Sequence, residues 1–167
     1  TVIPVTVANS ISNVTAPANT AICVGGNSSF SVSAANGNPI TYQWQLSTDA
    51  GASWTDIANG GVYSGATTST LNITGAPASF NNNQYRATLT VAACSSSVNS
   101  GAATLTVNPL PVIVINAAPY TKLHPGITTT ITAAVSPNAA VTYQWYKNGI
   151  AVPGATNATI VVDVDNM

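Results

Sequence analysis

The residues able to do acid–base, nucleophilic or metal chemistry are few and scattered. His124 is the sole histidine and precedes Pro125-Gly126 in a predicted surface turn. The carboxylates are Asp49, Asp56, Asp163 and Asp165, with no Glu, and the thiols are Cys23 and Cys94. An active site needs an acid, a base or a nucleophile that converge. No nucleophile–base pair accompanies His124, which reads as a solvated turn residue. Asp163 and Asp165 share the outward face of one strand. Two carboxylates fall short of the roughly six to eight oxygens of a Ca²⁺ site, so they read as a solubilising edge. Two cysteines alone cannot supply a zinc site, which takes about four ligands. No catalytic residue, metal site or cofactor is expected.

Composition narrows the class further. Of 167 residues, 46% are hydrophobic and 4% charged, with Arg86, Lys122 and Lys147 as the cations and a net charge of −1. That apolar share marks a globular chain. Three scattered cations cannot form a basic groove, so nucleic acid is excluded as a partner. No apolar run is long enough to insert into a membrane. The sequence opens mid-pattern at Thr1 without a signal-peptide profile, so a targeting segment would lie outside it.

The elements that must position these residues are strands. Thr41-Tyr42-Gln43-Trp44 recurs as Thr142-Tyr143-Gln144-Trp145, 101 residues on. Around the first copy Ile40, Tyr42, Trp44 and Leu46 alternate with Thr41, Gln43 and Gln45, the period-2 pattern of a half-buried strand. A large indole on such a strand is what an immunoglobulin-like sandwich packs its sheets around. Phe30, Val32 and Ala34 alternate with serines in an earlier strand; Leu71 and Ile73 point inward from a later one. Tyr85, Ala87, Leu89 and Val91 alternate with Arg86, Thr88 and Thr90 after an Asn-rich turn. Tyr85 there matches a tyrosine corner, whose hydroxyl bonds back to the backbone upstream. Ala103, Leu105 and Val107 form the last strand of this module.

Ser47-Thr48-Asp49-Ala50-Gly51-Ala52-Ser53-Trp54 fits the S-x-D-x-G-x-x-W pattern of an Asp-box. Asp49 is placed to accept N–H bonds inside the turn, Gly51 to take a positive φ, and Trp54 to fold back over the hairpin. The motif resembles the repeated hairpins of sialidase propellers, where it is structural. A propeller needs several copies, and one copy is a hairpin.

The second module repeats the plan from Val112. Ile131, Ala133 and Val135 face inward, followed by Val141, Tyr143 and Trp145. Gly65-Ala66-Thr67 matches Gly154-Ala155-Thr156 at an offset of 89, so the second copy has lost 12 residues from the Asp-box hairpin, leaving Lys147-Asn148-Gly149. Asn-Gly is a strong two-residue hairpin signal. After Ile160, Val162 and Val164 the sequence reaches Met167 without the last two strands of the plan. A sandwich lacking them exposes Trp145 and a bare sheet edge.

The combination of Cys-x-Gly-Gly, Tyr-Gln-Trp-Gln-x-Ser-x-Asp-x-Gly-x-x-Trp, Tyr-Ser-Gly-Ala-Thr-Thr-Ser-Thr-Leu, Gln-Tyr-Arg and Ala-Ala-Thr-Leu-Thr-Val resembles the extracellular immunoglobulin-like repeats of Bacteroidota surface proteins. It covers residues 20–107 well and 112–167 as an incomplete copy. Such repeats occur in large surface and gliding-motility adhesins and as spacers in secreted enzymes. The resemblance implies export through type IX secretion. In an exported domain, Cys23 and Cys94 favour a disulfide. Closing a loop of that length contributes roughly 4 kcal/mol. In a simple sandwich, however, the two positions lie toward opposite ends, further apart than the ~7 Å Cα limit. His124 occupies the position equivalent to Cys23.

The sequence therefore describes tandem all-β immunoglobulin-like sandwiches. Residues 1–8 read as an edge strand or the end of a preceding module, 9–107 as the first domain, 108–111 as a Pro-rich linker and 112–167 as an incomplete second domain. Trp44, Tyr85, Tyr143 and Trp145 are the expected core. The expected function is a non-catalytic repeat of a bacterial cell-surface adhesin or filament, with neighbouring immunoglobulin-like repeats as partners. Two alternatives stand beside it. One is a carbohydrate-binding accessory module of a secreted enzyme, with extracellular glycans held by Trp54, Tyr63 and Tyr146, which fall outside the core stripe. The other is a subunit that polymerises by strand complementation, with Val2 to Val7 of another copy completing the open sandwich.

Overall fold

The computed structural model describes residues 11–35, 39–91, 96–119, 121–137 and 140–163. Val2 to Val7, Cys94, Val164 and Asp165 lie outside the described residues. The chain divides into two compact units, Thr1–Pro109 and Leu110–Met167.

The first unit contains β1 (Ser12–Thr15), β2 (Thr20–Cys23), β3 (Ser28–Ser31), β4 (Ser33–Ala35), β5 (Thr41–Ser47), β6 (Thr55–Asp56), β7 (Tyr63–Ser64), β8 (Thr70–Ile73), β9 (Gln84–Val91), β10 (Ser96–Asn99) and β11 (Ala103–Asn108). One sheet runs β2-β11-β9-β5-β6, with β10 also on β9. The other runs β3-β8-β7, and β1 pairs with β4. Only β2 and β11 pair in parallel among these strands. Two antiparallel sheets with this order form an immunoglobulin-like β-sandwich.

Strict alternation makes β9 the spine of the core. Tyr85, Ala87, Leu89 and Val91 are buried while the residues between them stay half-exposed, as a strand with one face inward requires. Trp44 on β5, 0% exposed, sits opposite Ala87. A methyl at that position leaves the volume that the indole fills. Phe30, Leu71 and Ile73 close the core from the other sheet, and Phe30 stacks on Tyr85 with ring centroids 4.8 Å apart.

Two interruptions in the ladders are bridged. Val32, between β3 and β4, keeps its side chain buried and donates its N–H to Ser69. Between β10 and β11, the Ser100 hydroxyl accepts the Ala87 N–H (2.9 Å) and donates to the Gly101 carbonyl (2.8 Å). A hydroxyl thus replaces the ladder bond that the irregularity removes. Loops are pinned by amides in place of ion pairs. The side-chain oxygens of Asn19, Asn27, Asn59 and Asn81 accept the N–H groups of Thr104, Gly75, Ala66 and Val107 at 2.8 to 2.9 Å.

The second unit contains β12 (Val112–Ala118), β13 (Thr128–Ser136), β14 (Tyr146–Lys147), β15 (Ile150–Ala151) and β16 (Thr159–Asp163), arranged as a β12-β13-β16 sheet and a β14-β15 hairpin. Asn148 and Gly149 both take positive φ, 52° and 81°, and join β14 to β15 in a two-residue turn. That sign of φ matches the twist of the flanking strands. Ala133 and Thr129 are buried on β13, whereas Val112 to Ile115 on β12 are 50 to 62% exposed.

Two expectations need correction here. The segment Val141 to Trp145 is not a strand, and Tyr143 and Trp145 are half-buried instead of joining a closed core. The physical reason is the missing neighbour: among the described residues no strand flanks this segment as β9 flanks β5. Without that ladder, neither regular pairing nor full burial follows.

The contrast between the two indoles gives a test. Trp44→Phe should destabilise the first unit by about 2 kcal/mol or more, through lost volume and a lost indole hydrogen bond. Trp145→Phe should cost less than half as much, since its ring already meets water. Urea unfolding of the full chain, followed by circular dichroism, compares the two variants.

Candidate functional site

The polar clusters are built from the Tyr-Gln-Trp strand outward. At the end of β5, the Asp-box turn is closed by its own side chains. The buried Ser47 hydroxyl donates to the Asp49 carboxylate (2.7 Å) and accepts the Gly51 N–H (2.8 Å). Asp49 also accepts the Ser53 N–H (2.9 Å) and the Ser53 hydroxyl (2.5 Å). Gly51 has φ +92°, and a Cβ there would stand 3.1 Å from the Gln84 side-chain oxygen, so glycine is required. Trp54 folds back and donates its indole N–H to the Gly51 carbonyl (3.1 Å). The hydrogen bonds from Ser53, and then that from Ser47, hold the Asp49 carboxyl at about 2, below its ordinary 3.8.

Beside this turn a charge ladder crosses three strands. Gln45 donates to the Asp56 carboxylate (2.8 Å) and accepts the Arg86 Nε–H (2.9 Å). One amide therefore satisfies an acid and a base on opposite sides. The Arg86 guanidinium lies 4.2 Å from the centre of the Trp54 ring, a cation–π contact. One face of that indole is thus occupied.

Tyr63 is likewise committed. Its ring stacks on Phe80 at 5.6 Å and its hydroxyl meets that of Tyr85 at 3.2 Å. Burial, then that contact, raises the Tyr63 hydroxyl above the ordinary 10, and burial raises Tyr85 too. The Tyr85 hydroxyl was expected to bond the backbone upstream; it meets the Tyr63 hydroxyl, because β7 brings a phenol to the site the backbone would occupy. Tyr146 is 64% exposed and belongs to the other unit. The three aromatics proposed for glycan contact are therefore not a shared platform: one is capped by Arg86, one is packed, and one stands apart.

His124 is exposed, and its carbonyl accepts the Ile127 N–H (3.0 Å) across the turn containing Gly126 at φ +81°. Cys23 is exposed with a free thiol; its expected partner is outside the described residues. Asp163 closes β16 opposite Thr128. Among the described residues, no group of three or more His, Cys, Asp or Glu could hold a metal ion. No helix among them is long and apolar enough to cross a membrane.

The two units share one hydrogen-bonded frame. In the first, the Trp44 indole N–H donates to the Thr68 carbonyl (2.9 Å), and Gln43 Nε2 donates to the carbonyls of Trp44 (2.9 Å) and Ile57 (2.8 Å). In the second, Trp145 donates to Asn157 (2.8 Å), and Gln144 to Trp145 and Val152 (2.9 Å each). The Trp44 N–H to Ala66 and Ile57 N–H to Trp44 bonds recur as Trp145 to Ala155 and Val152 to Trp145. Strand alternation reads Gln43 as a solvent-facing residue. Its recurrence beside Trp was the one available signal of this role. In the second unit the frame opens on a groove of about 610 Å³ lined by Ile131, Trp145, Val152, Ile160 and Val162.

The model of one family, the domain of unknown function DUF8696, matches residues 12–109. The chain belongs to the DUF8696 family. That match coincides with the closed sandwich and contains both the Asp-box turn and the first Tyr-Gln-Trp frame. No curated protein matches the sequence. Among solved structures, the chain is similar to one addressing Dscam isoform specificity, at 16% identity and TM-score 0.52, over 92% of this chain and 39% of that one. It is also similar to the N-terminal four Ig domains of Dscam1 isoform 7.44, at 15% identity and TM-score 0.53, over 98% and 41%. The DUF8696 chain thus spans about two fifths of the length of these structures, and shares their immunoglobulin fold.

The acidic edge of the Asp-box gives a pH prediction. Because Asp49 is held at about 2, its contribution to the hairpin is full above its ordinary pKa. It is lost as pH falls from about 4 toward 2. Asp49→Asn should weaken the chain at neutral pH and flatten its stability between pH 4 and 2. Thermal unfolding of both proteins across that range reads the difference; parallel curves would contradict it.

Proposed function

We propose that this chain is a pair of non-catalytic immunoglobulin-like modules from an extracellular adhesin or filament of a Bacteroidota-like bacterium, exported by type IX secretion. In this reading it spaces or displays a binding region, and its partners are neighbouring immunoglobulin-like modules. The observation that carries the reading is the repeated frame. The same five hydrogen bonds support Trp44 and Trp145, while the surface hairpin between them differs in length. A repeat that keeps its interior and varies its outer turn is built as a scaffold. The acids, bases and thiols are dispersed around it, as a spacer requires. Loops held by asparagine amides suit a surface with almost no charge.

An antiserum raised against this chain tests the reading on cells of its source organism. It should label intact cells, and mild external protease should remove the signal. Blocking type IX export should leave the protein inside the cell. Detection only after lysis of unperturbed cells would contradict the proposal.

A further inference from the structure

The two units give the same frame different surroundings, and that difference identifies what the second unit accepts. In the first unit, β9 lies antiparallel on β5 with Tyr42 opposite Leu89, Gln43 opposite Thr88, Trp44 opposite Ala87 and Gln45 opposite Arg86. Tyr85, Ala87 and Leu89 are each 0% exposed. In the second unit the matching segment, Thr142 to Tyr146, keeps its bonds to Val152 and Ala155 on one side. On the other side, no strand among the described residues pairs with Thr142 to Trp145. Beside that edge lies the apolar groove of about 610 Å³.

From this we infer that the groove is a receptor for one extended polypeptide strand from outside this 167-residue chain, bound antiparallel to Thr142–Tyr146. Main-chain groups that would otherwise bond only water supply the pairing, and alternate side chains enter the groove. The internal repeat fixes the register. A small residue stands opposite Trp145, because Ala87 stands opposite Trp44. A large aliphatic residue two positions further along stands opposite Tyr143, as Leu89 does opposite Tyr42. A cation falls beside the exposed Tyr146 ring, where Arg86 pairs with Gln45. The occupant is thus a segment with the alternation Arg-Ala-Thr-Leu. A second copy of this chain cannot lend its own β9, which is buried in its own first unit.

The test uses the full 167-residue chain and a fluorescein-labelled peptide with the β9 sequence, Gln84 to Val91. Fluorescence anisotropy should show saturable binding. In an ¹⁵N spectrum the Trp145 indole resonance should shift, while that of Trp44 stays in place. A peptide carrying Ala87→Leu puts bulk against the indole and should bind at least ~10-fold more weakly. A peptide with its apolar and polar positions exchanged should not bind. These peptide variants leave the protein unchanged, so its folding is not in question. The inference is overturned if the β9 peptide does not bind, if Ala87→Leu binds equally well, or if Trp44 responds in place of Trp145. It is also overturned if the chain dimerises with rising concentration and the dimer excludes the peptide, since a second copy is then the occupant.

Discussion

The placement of one indole is the constraint on which the rest depends. Trp44 sits at the centre of a sandwich, yet carries an N–H that burial would leave costly without a partner. The Thr68 carbonyl takes that N–H, and Gln43 ties the Trp44 and Ile57 carbonyls together beside it. These bonds fix the Asp-box hairpin and the Gly65 turn against β5. At Gly65, φ is +77° and a Cβ would fall 2.2 Å from the Thr70 carbonyl, so the chain closes under the indole only with glycine there. Ala87 then sets the depth at which β9 lies on the ring.

The second unit separates the local part of this arrangement from the long-range part. Its frame is made by residues close in sequence, from Gln144 to Asn157, and it is complete. Burial of Trp145 is not, because burial in the first unit comes from a strand about 40 residues further along the chain. Turn chemistry and short-range hydrogen bonds therefore shape the pocket, while the covering strand turns a pocket into a core. The same logic accounts for β12, where Val112 to Ile115 pair with β13 and remain largely exposed.

Much of this was legible in the sequence wherever a signal was local. Alternation located β9 and the Trp44 strand, S-x-D-x-G-x-x-W gave the hairpin, and Asn148-Gly149 gave the shorter one. Features that depend on distant partners were not legible. The parallel pairing of β2 with β11 leaves no periodic trace, and Ser100 looks like any loop serine until Ala87 is seen to bond it. Tyr63 reads as a surface aromatic because nothing nearby announces Phe80 and Tyr85 as its neighbours. Gln43 and Gln144 alternate like outward residues, and their inward bonds appear only in three dimensions. The charge ladder of Asp56, Gln45 and Arg86 needed the registers of two strand pairs at once.

Amide hydrogen exchange across the two Tyr-Gln-Trp segments tests the central claim most directly, since both lie in one molecule under one condition. The account predicts that Trp44 to Ser47 exchange slowly, protected by the ladder to β9 and full burial. Thr142 to Trp145 should exchange at least ~100-fold faster, slowed only by the local frame. Equal protection of the two segments would contradict the claim that the covering strand, and not the frame itself, makes the core.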